Sequence, residues 1–526
     1  MEKLITFFIK PFKQHLSTFI LILLMIVGCD IFYLVKENSF TYSIYILMSG
    51  IVITYITTLI LSIIPSKIRF LFFTFVILIL GIFFILDIFS ITTYNTRYNR
   101  YFSAIILQTN MNEATEFLNV YLSLKTIIYI ISSISIILIT VTTIKKHIHL
   151  SQKASLICFG IFLLSSILTT RNNAVYKESI INKLMGFGIT DIPDLDNFYT
   201  NPSLEISNTL PQNVVLILGE SFNKYHSSLY GYPKKTNPLL EKLKNEQHLY
   251  IFPNITSPAV GTNAAFRTIL NTYRPEYGED KPWYTYTSLP EILHICGYHT
   301  YWISNQDEKG LHDVTATKYA EICSEKYFTQ KKYMKRNNNQ FDENILPLIQ
   351  PTINYDKLNF YFLHLMGSHQ AYEERYPKTF NYFTTRDYTD SIENQRASLA
   401  HYDNTILYND FIINEIIKLF KNNETIIIYT SDHGEDLFQS NPNFAGHGII
   451  NNEKSEKIIK EIPFIIYTSP LFIQHYPQAI KSIENNLNKE FRTDDLIYTI
   501  MDIIGVSFKN NNDVTKYSLF NGIKYN

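Results

Sequence analysis

Acidic and imidazole side chains follow two apolar segments of this sequence that have the length of buried strands. Glu220 comes just after 214–218, and Asp432 and His433 come just after 425–430. In an open parallel sheet, ligands bind beyond the carboxyl ends of the strands, so these side chains are expected to converge. Two carboxylates and a histidine are a normal ligand set for Zn²⁺ and would also hold Mn²⁺. A helix cap at Glu220 and a simple turn at Asp432 are the ordinary alternatives, but both motifs occur at strand ends, which favours the metal site.

A candidate nucleophile lies between these two motifs. Thr262 follows Gly261, which permits a tight loop, and a helix is predicted to begin after it. A cation beside the Thr262 oxygen would lower the pKa of the hydroxyl, and the helix N-terminus would offer N–H groups to an anion. The alternative is that Thr262 only caps the helix. Thr256 and Thr268 are weaker candidates because neither follows a glycine at such a junction.

The elements that must position these residues are predicted from the apolar pattern of the last 314 residues. Continuous apolar segments separated by helical stretches such as 397–420 predict a mostly parallel sheet sandwiched by helices in a domain spanning 213–526. Residues 171–212 are polar and contain prolines, so we expect a linker there, with a surface helix at 179–184. The five apolar segments lie at 214–218, 299–303, 359–364, 425–430 and 463–467.

The first third of the chain is much more apolar than the rest. A bilayer core about 30 Å thick requires roughly 20 apolar residues in a helix. Five runs meet or approach this length, which predicts a five-helix transmembrane domain over 1–170 rather than a soluble core or a cleaved signal peptide. The runs lie at 15–35, 42–64, 70–92, 122–144 and 154–169.

Basic residues near the spans predict the orientation of the chain. They gather before the first span, between the second and third, and between the fourth and fifth, as at Lys10, Lys67 and Lys146. We therefore expect a cytoplasmic N-terminus and an exported domain after residue 170. The net charge of −1 gives no sign of nucleic-acid binding. Cys296 and Cys323, in the exported part, are equally compatible with a disulfide and with two unpaired thiols.

Several motifs, in this order, resemble those of the lipid A and lipooligosaccharide phosphoethanolamine transferases of the sulfatase and alkaline phosphatase superfamily. The resemblance covers nearly the whole chain, including the five-span anchor. The motifs are Gly219-Glu220-Ser221, Leu229-Tyr230-Gly231-Tyr232, Gly261-Thr262-Asn263-Ala264-Ala265, Met366-Gly367-Ser368-His369, Tyr402-Asp403-Asn404, Ser431-Asp432-His433-Gly434-Glu435 and Gly446-His447-Gly448.

The resemblance implies roles for individual residues. One Zn²⁺ would be bound by Glu220, Thr262, Asp432 and His433. The lipid phosphate or a second metal would be contacted by His369 and His447. A further phosphate contact is implied for Lys309, and Glu113 matches an acidic residue that suits the ethanolamine ammonium. The ordinary alternatives are a purely structural role for the two histidines and, for Lys309, a charge on a solvated loop.

The resemblance also implies an activity and a location. Phosphoethanolamine would pass from phosphatidylethanolamine to a lipopolysaccharide or lipooligosaccharide acceptor through a phosphothreonine, with the catalytic domain in the periplasm and the anchor in the inner membrane of a Gram-negative bacterium. The chain departs from the family's lipid A enzymes at Ile105, where they tend to carry Asn, and in having no cysteine around Lys309. These departures resemble a branch of the family that has fewer cysteines and acts on core sugars or another glycan.

Rival functions remain open at this point. A glycerophosphate transferase resembling lipoteichoic acid synthase, or another phosphodiesterase of the superfamily, would use the same fold and a threonine nucleophile. A sulfatase is less suitable, because sulfatases need Cys or Ser at the position of Thr262. A non-enzymatic scaffold is disfavoured because all four expected metal ligands are present.

Overall fold

The computed structural model describes residues 2–36, 40–94, 124–170, 199–274, 282–308, 314–330, 341–353, 356–442, 444–447, 452–509 and 517–520, with isolated residues between 97 and 122 and residues 276 and 523. The helix predicted at 179–184 lies outside these residues. The chain divides into two compact units, an N-terminal one that holds the long apolar helices and a C-terminal one that holds the sheet.

The described residues of the N-terminal unit are mostly helical. Five of its helices contain a stretch that is long and apolar enough to cross a membrane, which confirms the five predicted spans. Large apolar side chains such as Phe70 and Leu124 are exposed on them, as expected for surfaces that face lipid. The helices are α1 (Glu2–Phe8), α2 (Lys10–Gln14), α3 (Leu16–Lys36), α4 (Phe40–Ile63), α5 (Ser66–Tyr94), α6 (Leu124–His147) and α7 (Gln152–Thr170).

The C-terminal unit is built on a seven-stranded sheet. All five predicted strands belong to it, and one further strand lies at each of its edges. The strands, numbered along the chain, are β1 (Asn213–Gly219), β2 (Leu249–Phe252), β3 (His299–Asp307), β4 (Glu325–Gln330), β5 (Asn359–His364), β6 (Thr425–Ser431) and β7 (Phe464–Thr468). Their spatial order is β2-β7-β6-β1-β5-β3-β4, and β6, β1, β5, β3 and β4 are parallel neighbours.

The sheet departs from the predicted parallel arrangement at one strand. β7 runs antiparallel to both of its neighbours, β6 and β2. Phe464 at the start of β7 pairs with Thr430 near the end of β6, so the chain leaves and re-enters the sheet at the same edge. The connection over 432–463 therefore stays at the carboxyl edge of β6 instead of crossing a face. An apolar run cannot reveal this, because it reads the same in either strand direction.

Both faces of the sheet are buried, which explains the uninterrupted apolar strands. Alternate residues of β1 illustrate it: Leu216 belongs to the core on one face and Ile217 to the core on the other. The long helix α13 (Arg396–Phe420) covers the second face with its apolar stripe. The helices of this unit are α8 (Pro238–Asn245), α9 (Thr262–Ile269), α10 (Leu289–Ile295), α11 (Val314–Ile322), α12 (Leu346–Ile349), α13 (Arg396–Phe420), α14 (Glu453–Lys460), α15 (Pro470–His475), α16 (Pro477–Asn485) and α17 (Leu496–Ile503).

The last part of the predicted linker is packed into this unit rather than extended from it. A short strand, Leu204–Ile206, pairs antiparallel with Val506–Phe508. Just before it, the buried carboxylate of Glu291 accepts hydrogen bonds from the backbone N–H groups of Thr200 and Asn201, both at 2.6 Å. The polar composition of 171–212 concealed this docking, since the anchor is a distant glutamate. The domain boundaries predicted from the sequence stay predictions.

Cys296 and Cys323 are both free thiols. Cys323 Sγ donates to the Tyr319 carbonyl oxygen at 3.3 Å. Burial raises the pKa of Cys296 to about 11 and that of Cys323 to about 12, so neither is a reactive thiolate at neutral pH. The second alternative from the sequence, two unpaired thiols, is the one observed.

We expect Glu291→Ala to lower the stability of the C-terminal unit by about 1–3 kcal/mol, because two backbone donors lose their buried acceptor. The protein contains two tryptophans, Trp283 and Trp302, and both lie in this unit, so thermal unfolding of the full chain in detergent can be followed by their fluorescence. Glu205→Ala, at an exposed position of the neighbouring strand, is the control and should melt as wild type. Equal melting of both variants would contradict the anchoring role.

Candidate active site

The two strands at the centre of the site are adjacent and parallel. Gly219 at the end of β1 pairs in register with Ser431 at the end of β6. Glu220 and Asp432 are therefore the first residues beyond the sheet on neighbouring strands, and the Asp432 N–H donates to the Gly219 carbonyl at 3.1 Å. Both side chains are almost wholly buried. The strand-end placement expected from the sequence is the placement observed.

Thr262 meets these residues from a helix that begins beside the sheet edge. Gly261 occupies the N-cap position of α9 and Thr262 is the first helical residue, so the alternative that Thr262 caps the helix is wrong. Its hydroxyl donates instead to Glu220 Oε2 at 3.1 Å and lies 3.3 Å from His433 Nε2. The hydroxyl is thus held at the carboxylate and imidazole cluster.

His433 faces the two carboxylates with one of its ring nitrogens. Its Nδ1 donates to the Gly434 carbonyl oxygen at 2.9 Å, which leaves Nε2 directed at them. Nε2 lies 3.4 Å from Glu220 Oε1 and 3.2 Å from Asp432 Oδ2. Among the described residues, Asp432 Oδ2 has no hydrogen-bond partner apart from its contact with this nitrogen. Two carboxylate oxygens and Nε2 therefore converge on one point, an arrangement that a divalent cation would stabilise.

The electrostatics of the site support the same conclusion. Burial, together with the neighbouring Asp432, raises the pKa of Glu220 to about 7. A ligand atom from each of Glu220, His433 and His447 lies within 4.8 Å of the other two. Two carboxylates, two imidazoles and a hydroxyl are a suitable donor set for a divalent ion, and such an ion would offset the cost of burying the acids. The residues present therefore fit a metal.

His369 lies at the end of a turn whose backbone packs against the backbone of Glu220. The N–H groups of Met366 and Gly367 donate to the two carboxylate oxygens of Asp342, at 2.8 and 2.9 Å. Gly367 has φ of +54°, and a Cβ there would lie 2.7 Å from the Glu220 carbonyl oxygen. His369 follows this turn, with its ring centroid 6.3 Å from that of His447. The turn requires glycine for both reasons.

His447 comes from the connection between β6 and the antiparallel β7. Its ring centroid lies 4.1 Å from that of His433, and its Nδ1 lies 2.6 Å from Glu435 Oε2. The Tyr372 hydroxyl donates to the other oxygen of Glu435. Burial raises the pKa of Glu435 to about 8, whereas burial and the nearby His433 lower the pKa of His447 to about 3.

The structure thus brings together six of the eight residues singled out in the sequence. These are Glu220, Thr262, His369, Asp432, His433 and His447; Lys309 and Glu113 lie outside the described residues. Sequence reasoning did not assign roles to Ser221, Tyr372 or Glu435, although Ser221 and Glu435 flank predicted ligands. Their positions inside the two strand-end motifs were the available signal. The metal-binding and catalytic roles of the six residues stay predictions.

Comparison with known proteins places this arrangement in context. The sulfatase family model matches residues 212–506. The phosphoethanolamine transferase EptC of Escherichia coli K12 is 25% identical over 446 residues, which cover 77% of this chain and 74% of the relative. The phosphoethanolamine transferase EptA of Helicobacter pylori is 31% identical over 317 residues, covering 58% of this chain and 56% of the relative.

Solved structures give the same picture of the fold. The periplasmic domain of EptC from Escherichia coli, solved in complex with zinc, is 26% identical, with a TM-score of 0.54 over 62% of this chain and 90% of that one. The full-length integral membrane protein lipooligosaccharide phosphoethanolamine transferase A from Neisseria meningitidis is 17% identical and covers 97% of this chain and 98% of its own, with a TM-score of 0.68. That likeness shows the fold, five apolar helices followed by the sheet-based unit.

Gly367→Ala should destabilise the C-terminal unit more than Gly231→Ala does. Both glycines have positive φ, but the region around a Cβ at Gly231 is open, whereas at Gly367 the new atom meets the Glu220 backbone. We expect a cost of about 1 kcal/mol at Gly231 from conformation alone and a clearly larger one at Gly367. Tryptophan-monitored melting of the full chain measures both. Equal losses of stability in the two variants would mean that the turn at Gly367 is not packed closely against the Glu220 backbone.

Proposed function

This chain belongs to the sulfatase family, and from that premise we propose that it is a phosphoethanolamine transferase. The donor is phosphatidylethanolamine, and the acceptor is a lipopolysaccharide or lipooligosaccharide, at lipid A or at a core sugar. Its relatives that carry this name in Escherichia coli and Helicobacter pylori support the transferred group. The acceptor class is supported by the name of the Neisseria meningitidis protein that shares the fold.

One observation carries the proposal: the Thr262 hydroxyl is held between the buried carboxylate of Glu220 and the Nε2 of His433. Glu220 Oε2 accepts from it at 3.1 Å, so a proton acceptor is already in place when the oxygen attacks. An ordinary helix-terminal threonine would bond to its own first turn instead. This arrangement suits a threonine that acts as a nucleophile.

The reaction is a double displacement. Thr262 Oγ1 attacks the phosphorus of the lipid phosphodiester while its proton passes to Glu220. The bond from phosphorus to the diacylglycerol oxygen breaks, and His369 protonates the departing alcohol. Thr262 is left carrying phosphoethanolamine. A hydroxyl or phosphate oxygen of the acceptor then attacks the same phosphorus; a hydroxyl gives its proton to His369, whereas with a phosphate oxygen His369 recovers its proton from water. The Thr262 oxygen leaves and takes back its proton from Glu220, which restores the enzyme.

Zinc is the metal that we assign to the site, and the zinc complex of the EptC domain supports this choice. Glu220, Thr262, Asp432 and His433 would hold it, and when bound it would neutralise charge on the phosphoryl oxygens. His447 and His369 would bind the lipid phosphate or a second ion. Lys309 and Glu113 are proposed as contacts to phosphate and to the ethanolamine ammonium.

We propose the inner membrane of a Gram-negative bacterium as the location. The five apolar helices supply the anchor, and the basic segments beside them favour a cytoplasmic N-terminus. The catalytic unit then lies in the periplasm, where phosphatidylethanolamine of the outer leaflet and the growing glycolipid are both accessible.

Thr262→Ala should abolish phosphoethanolamine transfer while the protein stays folded, because the attacking oxygen is removed and the surrounding hydrogen bonds are few. Mass spectrometry of glycolipids from cells that express each variant measures transfer and also identifies the acceptor. Thr285→Ala, at an exposed position, is the matched control and should be fully active. Full activity of Thr262→Ala would end the nucleophile assignment, and glycerophosphate in place of phosphoethanolamine on the product would favour the rival transferase.

Purified wild-type protein should contain at least one zinc ion per chain, and Asp432→Asn should bind zinc at least about tenfold more weakly. The reason is that the substitution halves the carboxylate charge facing His433. Elemental analysis after dialysis against graded chelator measures the affinity. Glu453→Gln, on the exposed side of α14, should bind zinc as wild type does. Zinc retention by Asp432→Asn equal to wild type would remove Asp432 from the ligand set.

A further inference from the structure

Ser221, the residue directly after Glu220, has an unusual backbone for its type. Its φ is +56°, in the left-handed region that glycine adopts readily and other residues adopt at a conformational cost. It is completely buried. A glycine here would relieve the backbone, so the side chain must contribute something that the backbone alone cannot.

The two carboxylate oxygens of Glu220 have different hydrogen-bond partners, and the Ser221 hydroxyl is one of them. It donates to Glu220 Oε1 at 2.7 Å, whereas Glu220 Oε2 accepts from the Thr262 hydroxyl. Without this bond the carboxylate could turn about its last torsion, which is broad for glutamate, and exchange the two oxygens. The hydroxyl therefore fixes which oxygen faces the nucleophile.

Other contacts of Ser221 tie it to the rest of the site. Its oxygen also lies 3.4 Å from His447 Nδ1, whose shorter contact, at 2.6 Å, is with Glu435 Oε2. Its backbone N–H donates to Asp432 Oδ1 at 3.2 Å, and its carbonyl accepts from the Tyr402 hydroxyl at 2.6 Å. The backbone bonds hold the residue in place, and only the hydroxyl depends on the serine side chain.

We propose that Ser221 is a positioning residue for the transfer reaction: its hydroxyl orients Glu220 toward Thr262. The inference rests on the proposed function, because it assigns Ser221 a part in the same chemical step. Groups that orient metal ligands in this way commonly change activity or metal affinity by about 10–100-fold when they are removed. Ser221 does not touch the substrate, so its loss should act mainly on kcat.

Three substitutions of the full chain in detergent separate the hydroxyl from the backbone strain. Ser221→Ala removes the hydroxyl and keeps the strain, Ser221→Gly removes both, and Ser221→Thr keeps the hydroxyl. Gln247 has φ of +62° on an exposed turn, so Gln247→Gly shows what strain relief does away from the site. The readouts are kcat and KM with phosphatidylethanolamine in mixed micelles, zinc content, and the melting temperature.

We expect Ser221→Ala and Ser221→Gly to lower kcat by about 10–100-fold with a much smaller change in KM. Ser221→Gly and Gln247→Gly should melt at or above the wild-type temperature, and Gln247→Gly should keep wild-type kcat. Ser221→Thr should recover most of the rate. A slow but stable Ser221→Gly enzyme is a result that a purely structural role for the serine would not produce.

Wild-type kcat in Ser221→Gly, or a folded Ser221→Thr enzyme as slow as Ser221→Ala, would overturn the inference. These outcomes leave the proposed function intact, since wild-type protein would still transfer phosphoethanolamine. Failure of zinc-loaded wild-type protein to turn over phosphatidylethanolamine would instead reject the proposed function itself.

Discussion

The burial of two carboxylates around one imidazole nitrogen is the constraint on which the rest of the C-terminal unit depends. Glu220 and Asp432 each place an oxygen within 3.4 Å of His433 Nε2, and all three side chains are almost inaccessible to solvent. Charges removed from water in this way destabilise a protein unless they are paired with a counter-charge or with donors. A divalent cation would resolve the conflict, and the same positive charge would serve the proposed phosphoryl transfer.

The residues of the site are held by strand ends and by hydrogen-bonded turns. The two carboxylates stand at the ends of adjacent strands whose pairing fixes their separation. The turn that carries His369 is tied through its backbone to the buried Asp342. The Gly434 N–H donates to the Ile459 carbonyl, which attaches the segment that carries Asp432 and His433 to the end of α14. The site is thus held mainly by backbone hydrogen bonds, which tolerate little movement.

A second buried network links the motifs that carry no chemistry of their own. Asp403 on α13 accepts from the hydroxyls of Tyr232 and Tyr388 and lies 2.6 Å from His226 Nδ1. One residue away, Tyr402 donates to the Ser221 carbonyl. The Leu229-Tyr230-Gly231-Tyr232 and Tyr402-Asp403-Asn404 motifs are therefore joined to each other and to the site. They fix the position of α13 beneath the residue that follows Glu220.

Strand-end placement explains why so much of the site could be predicted from the sequence. An apolar strand followed at once by an acid or histidine is a local pattern, and it located Glu220, Asp432 and His433 without knowledge of any partner. The same local reasoning predicted the five apolar helices and five of the seven strands of the main sheet. It failed where the outcome depended on contacts across long stretches of chain, as in the docking of Thr200 on Glu291.

What the sequence alone determined is the list of chemical groups, the strands that carry them and the apolar helices that precede them. Only the tertiary structure decided that β7 is antiparallel, which keeps His447 at the edge where Glu220 lies. It also decided that Thr262 donates to Glu220 instead of capping its helix, and that Ser221 and Glu435 join the cluster. The physical reason is that apolar periodicity encodes burial but not strand direction or side-chain partners, which follow from pairings between residues far apart in the chain.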